Sequence, residues 1–157
     1  MLGNLSDTQI QTVLHTQMVG RIGCHADGIT YVVPISYAYD GEYIYCHTKE
    51  GKKISMMRKN ARVCFQVDEM TDMANWKSVL LQGTFEELKK KEEINHAMHN
   101  LMNRYLPIIS SVTTHLGNLW PFQNDDYSDM EGIVFRIRIT EQSGRFESGT
   151  ASPAMAG

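Results

Sequence analysis

The residues best suited to chemistry are Gly51-Lys52-Lys53, followed by Ile54, Met57 and Arg58 at helical offsets. That spacing predicts a short helix over about residues 51–59, with both lysines in its first turn. A helix start carries partial positive charge and unpaired backbone N–H groups. Two cations there oppose the helix dipole, at a cost of about 0.3–1 kcal/mol each. A bound anion reverses the sign of that effect, and phosphate suits such a terminus. His47 and Thr48 end the preceding strand and can add donors. Without an anion the same lysines are solvated surface cations, and the segment alone weighs the two readings equally.

A second feature is the run 29–39. Tyr31, Val33, Ile35, Tyr37 and Tyr39 make one large apolar face, and Thr30, Val32, Pro34, Ser36 and Ala38 a smaller one. Pro34 donates no ladder hydrogen bond, so it marks an edge, a bulge or an irregular stretch. A face of small residues beside a proline leaves room for something flat against the backbone. A plain barrel-edge strand accounts for the pattern equally well.

Positioning these residues requires several elements. Ser6 and Gln9 form a capping-box pattern ahead of Ile10, Val13 and Leu14, predicting a helix over 7–16. Strands are expected at 18–25, 29–39 and 42–48, with turns at Asp27-Gly28 and Asp40-Gly41. Further strands follow at 61–69, 75–86 and 133–139, and a long helix at 88–105 with Pro107 just beyond it. About six hairpin-linked strands interrupted by a few helices predict a mainly β, α+β fold: an antiparallel β-barrel with helices at its margins. The chain reads as one domain over 1–147, with a small, polar, disordered tail over 148–157.

Composition narrows the class. The 157 residues are 42% apolar and 21% charged, with net charge −3 and no basic stripe, which argues against nucleic acid as a partner. No apolar run approaches a membrane span. Cys24, Cys46 and Cys64 are odd in number, form no CxxC pair and lie in apolar runs. With no signal-peptide pattern at the amino terminus, they point to free thiols in the cytoplasm. His96 and His99 lie three apart on the long helix, but projection sets them opposite Ile94, Met98 and Leu101, facing solvent, so no metal site is expected.

Five blocks occur in order: Gly20-Arg21-Ile22-Gly23; Tyr31-Val32-Val33-Pro34-Ile35-Ser36-Tyr37; Ile44-Tyr45-Cys46-His47-Thr48 leading to Gly51-Lys52-Lys53; Asn60-Ala61-Arg62-Val63-Cys64-Phe65; and Trp76-Lys77-Ser78-Val79 leading to Gly83. The series resembles the flavin mononucleotide (FMN)-binding split-barrel family related to pyridoxamine 5′-phosphate oxidase, on the branch that includes nitroimidazole-resistance proteins. The resemblance covers about residues 5–90. It implies FMN as cofactor, a homodimer with the flavin at its seam, and a flavin-dependent oxidoreductase acting on a small organic substrate. Lys52 and Lys53 match the family's phosphate-binding pair, and His47 and Thr48 fall on the phosphate and ribityl side. Val33, Pro34, Ile35 and Ser36 match the strand whose backbone lines the ring. Ser78 stands where the oxidase has a ring-contacting glutamine, Arg21 belongs to the opening strand, and Trp76 or His47 is the candidate for substrate contact.

The resemblance has limits. The oxidase's arginine-rich carboxy-terminal signature is not visible, so vitamin B6 oxidation is not implied. The segment 119–127 is aromatic and unassigned. No residue is singled out as catalytic. A non-catalytic flavin or haem binder, or an interaction barrel without cofactor, fits the same pattern.

Overall fold

A computed structural model of the chain describes residues 1–109, Tyr127 and 131–149, and of residues 105–109 it describes the backbone. The aromatic stretch 119–126 and the tail residues 150–157 lie outside the described residues. The order of elements is β1 (Leu2–Asn4), α1 (Asp7–Thr16), β2 (Val19–Ala26), β3 (Ile29–Ser36), β4 (Ala38–Tyr39), β5 (Tyr43–Thr48), α2 (Lys52–Lys59), β6 (Arg62–Asp72), β7 (Asn75–Glu87), α3 (Lys91–Ile109) and β8 (Ile133–Glu147). All eight strands pair antiparallel in one sheet, in the order β3-β2-β6-β7-β8-β5-β4, with β1 alongside the end of β8.

Consecutive strands β3 and β4 thus sit at opposite ends of the sheet. The sheet curls until β3 approaches β5, without a ladder between them. This is a barrel left split along one seam. The expected strand 29–39 breaks at Tyr37, where the chain crosses that seam. The Tyr37 side chain turns inward, edge-on to Phe65 at 5.2 Å, and its hydroxyl donates to the Leu14 carbonyl at 2.7 Å. Burial of this large ring, with its hydroxyl satisfied, stabilises the crossing.

Other boundaries also moved. Among the described residues eight strands replace the expected six or so, because the three-residue β1 and the two-residue β4 are too short to show periodicity. β8 continues eight residues past Ile139. Its second half is polar, yet it pairs with both β7 and β1. The long helix starts at Lys91, not at 88, because the Leu88 amide bonds the Val134 carbonyl at 2.9 Å and prolongs the sheet. It then runs through Pro107 to Ile109. The start of the expected disordered tail is held: the Ser148 amide bonds the Met1 carbonyl at 2.9 Å, and the Gly149 amide bonds Asn75 Oδ1 at 3.1 Å.

Alternation assigns the two faces. Ile22, Cys24, Phe65, Val67, Val79, Leu81, Phe135, Ile137, Ile44 and Cys46 point into the barrel. α1 adds Ile10, Val13 and Leu14 to that core, held at its start by the Ser6–Gln9 capping box. α2 adds Ile54, Met56 and Met57. Each such side chain contributes roughly 1.5–3 kcal/mol on full burial. α3 lies outside, where Ala97, Met98, Leu101 and Met102 cover Ala38, Tyr45 and Val134.

Candidate functional site

The start of α2 is built as expected. Gly51 is its N-cap, and no side chain bonds the first-turn amides. Among the described residues neither Lys52 nor Lys53 has a carboxylate partner. The Lys52 ammonium instead lies 5.0 Å from the centre of the Tyr31 ring, on β3 across the seam. Lys53 is half-buried and close enough to the thiols of Cys24 and Cys46 to favour their ionisation. Burial, the larger effect, keeps both thiols up. The two lysines therefore frame a cationic helix start under the rim of β3.

Among the described residues β3 pairs only with β2, so its other edge has no ladder partner there and faces the seam. Tyr31, Val33 and Ile35 are half-buried on its inner side, while Pro34 and Ser36 are exposed on the outer side. Proline at an unpaired edge costs no ladder bond, which explains its tolerance here.

His47 and Thr48 end β5 and meet the turn before β8. His47 Nε2 bonds the Glu131 carbonyl at 2.9 Å, and a carbonyl only accepts, so this nitrogen carries the proton. Gly132 has φ of 104°, and a Cβ on it would lie 2.7 Å from the Thr48 carbonyl oxygen and 2.9 Å from His47 Nε2. Only glycine fits that turn.

Arg21, Pro34, Ser36, Trp76 and Ser78 form a second group, on the outer face of the sheet. In register, Arg21 stands opposite Pro34 on one side and Gln66 on the other. Arg21 contacts Gln66 Oε1 at 3.4 Å and Asp68 Oδ1 at 3.2 Å, and Gln66 Nε2 donates to Ser78 Oγ at 3.0 Å. Arg21 and Ser78 are thus joined through Gln66. The alternation of Val63, Phe65 and Val67 indicates that Gln66 faces outward, but only the strand register places it between them. Trp76 lies further along, its indole N–H donating to Glu147 Oε2 at 2.9 Å. The sequence-predicted residues therefore divide between a seam cluster (His47, Thr48, Lys52, Lys53 and the edge of β3) and an outer-face row. Residues missed by sequence reasoning are Tyr31 as the lysine's partner, Gln66 as the link, and the Glu50–Arg58 pair beside the helix.

The histidines of α3 do not simply face solvent. His96 Nε2 lies 3.6 Å from Asp40 Oδ2, and the His99 ring packs edge-on to Tyr127 at 5.3 Å. Among the described residues no cluster of three or more His, Cys, Asp or Glu is placed to hold a metal, and no helix is long and apolar enough to cross a membrane.

A family profile described as pyridoxamine 5′-phosphate oxidase matches residues 6–146. The chain belongs to that family. An uncharacterised protein of Rhizobium meliloti is 35% identical over 148 residues, covering 90% of this chain and 92% of the relative. Among solved structures, an FAD-binding protein from Mesorhizobium loti superposes with a TM-score of 0.73 at 33% identity, covering 94% of this chain and 99% of its own. A candidate 5-nitroimidazole antibiotic resistance protein from Bacteroides thetaiotaomicron gives a TM-score of 0.71 at 19% identity, covering 93% and 87%. The expected split-barrel fold and its relation to pyridoxamine 5′-phosphate oxidase are borne out. The seam cluster combines a helix start without a side-chain cap, two lysines without carboxylate partners among the described residues, and a strand edge without a ladder partner there.

Proposed function

We propose that the chain binds FMN at the seam between β3, β5 and the start of α2, and that it is a flavin-dependent oxidoreductase acting on a small, planar or electron-poor organic substrate. The observation that carries this reading is the pair of lysines without carboxylate partners at the uncapped start of α2. Lys52 and Lys53 hold the phosphate, with the first amides of α2 and Thr48 as further donors. The free edge of β3 between Val33 and Ser36 lines the ring. Bound flavin supplies the electron-transfer chemistry, and the protein supplies position and electrostatics. His47 Nε2 and the Trp76 indole N–H are already engaged, so their part is packing, not proton transfer. The Mesorhizobium relative is named as binding FAD, so the flavin's form is what the first experiment reads. Three unpaired cysteines suit a reducing, cytoplasmic setting.

The protein should purify yellow, and heating should release FMN when the supernatant is chromatographed. Release of FAD would overturn FMN while keeping a flavin. A colourless protein that takes up neither would end the reading. Replacing Lys52 and Lys53 together by Ala should weaken FMN binding about 10²-fold or more and riboflavin binding little. That estimate takes roughly 1.5–3 kcal/mol per charge-assisted hydrogen bond. Equal losses for both ligands would remove the lysines from the phosphate. Turnover with a reduced nicotinamide and a panel of nitroaromatic and quinone acceptors tests the enzymatic half. A flavin-loaded protein inert to every acceptor would favour a storage or sensing role.

A further inference from the structure

The turn ahead of α2 carries an acidic residue where an anion site should not want one. Glu50 immediately precedes Gly51-Lys52-Lys53, and its side chain is 58% exposed. Left alone, its carboxylate would oppose a phosphate at the helix start and draw the lysines to itself. It is not left alone. Arg58, in the last turn of α2, bonds Glu50 through both terminal nitrogens, with Nη2 3.1 Å from Oε2. The same guanidinium donates from Nε to Glu87 Oε1 at 2.7 Å and from Nη2 to Glu87 Oε2 at 3.1 Å. Glu87 ends β7, and its side chain is 19% exposed. Its hydrogen bonds from Arg58 hold its carboxyl below the ordinary glutamate value. One guanidinium thus serves two carboxylates in a fork geometry that a lysine cannot reproduce. It ties the 49–51 turn and the last turn of α2 to the end of the sheet.

We propose that Arg58 is a specificity-determining residue of the seam site. By pinning and neutralising Glu50, it lets the start of α2 accept a flavin with a terminal phosphate and not the ring alone. The inference rests on Lys52 and Lys53 being the phosphate site. It assigns a role to two residues, Glu50 and Arg58, that never touch the ligand. Arg58 is a positioning residue whose effect is electrostatic, so its signature is selectivity between phosphorylated and unphosphorylated flavin. An acid freed beside a phosphate dianion should cost roughly tenfold in affinity, and less at high salt.

The test titrates the full chain with FMN and with riboflavin, at low and at high salt, for wild type, Arg58→Gln, Glu50→Gln and the double variant. Arg58→Gln should lose roughly tenfold for FMN, little for riboflavin, and less of it at high salt. Adding Glu50→Gln to Arg58→Gln should restore most of the FMN preference, which a purely structural strut would not permit. Glu50→Gln alone keeps the Arg58–Glu87 bonds and should hold or raise the FMN preference. It reads the same idea if Arg58→Gln fails to fold. Equal losses for both ligands, a double variant as impaired as Arg58→Gln, or a drop in FMN preference for Glu50→Gln alone would each overturn the proposal. A wild type that prefers FMN while Arg58→Gln behaves identically overturns this inference and spares the site. A wild type without any FMN preference removes both.

Discussion

Asp40, at the turn into β5, gathers donors from three directions. Its carboxylate accepts from the amides of Glu42 at 2.9 Å and Tyr43 at 2.7 Å, and from the Tyr45 hydroxyl at 2.6 Å, with His96 of α3 alongside. Burial pushes its carboxyl up, but the bonds from Tyr45, the two amides and His96 outweigh that and hold it below the ordinary value. A carboxylate depressed in the folded state stabilises the fold fully above its unfolded value of about 3.9, and that contribution is lost as pH falls through the folded value. Asp40→Asn should therefore lower Tm at pH 7, and the gap to wild type should narrow once pH drops below about 4. A gap that stays constant from pH 7 to pH 3 would show that the charge plays no part. At this scale the sequence revealed less than its residue types suggested. Asp40 was legible as a turn residue, but its partners Tyr45 and His96 depend on where α3 packs. Lys52 and Lys53 were legible because a helix start makes cations conspicuous. Arg58 was legible only as a position at helical offset in α2, because its partner Glu87 comes from the end of β7, which only the fold brings beside it.

Strand alternation carries the elements. Hydrophobic period, capping and turn pairs placed α1, α2, β2, β5, β6 and β7 to within a few residues, because each buries one face against the same core. The break between β3 and β4 was not legible, since Tyr31 to Tyr39 alternate without interruption while the chain changes its neighbours. Tyr37 is the pivot. It is fully buried, it ties β3 to the end of α1 through the Leu14 carbonyl, and the Arg104 guanidinium lies 5.4 Å from its ring. Tyr37→Phe should keep the ring packing and lose about 1 kcal/mol from the missing hydrogen bond. Tyr37→Ala should cost about 3–5 kcal/mol, by analogy with other buried aromatic truncations, and should open the seam. Urea unfolding monitored by far-ultraviolet circular dichroism measures both. A Tyr37→Ala variant as stable as Tyr37→Phe would mean that the crossing is held by something other than this ring.

At the scale of the whole molecule, the outer face of the sheet is what a single chain leaves unexplained. Val19, Val32, Met70 and Leu80 lie on it at 50%, 60%, 65% and 40% exposure, beside the row of Arg21, Gln66 and Ser78. Scattered apolar residues are ordinary, but these share one face of adjacent strands, and such patches mark interaction surfaces. Trp76 is half-buried with its N–H bonded to Glu147, so the motive for pairing is the exposed face itself. Pairing two copies isologously would cover it, as closed two-fold assembly requires, and obligate interfaces of this kind commonly exceed about 2,000 Å². A site shared between two copies would account for family-matched site residues falling in two groups on one chain. The expected outcome is a homodimer at low micromolar concentration by light scattering, with flavin bound in proportion to dimer. Leu80→Arg sits on the exposed face, so the monomer should tolerate it, while charge at the centre of the interface should dissociate the pair and strip its flavin. A Leu80→Arg monomer that keeps stoichiometric flavin would refute the shared site and leave each chain with a complete one. A Leu80→Arg variant still dimeric with flavin bound would move the interface to another face.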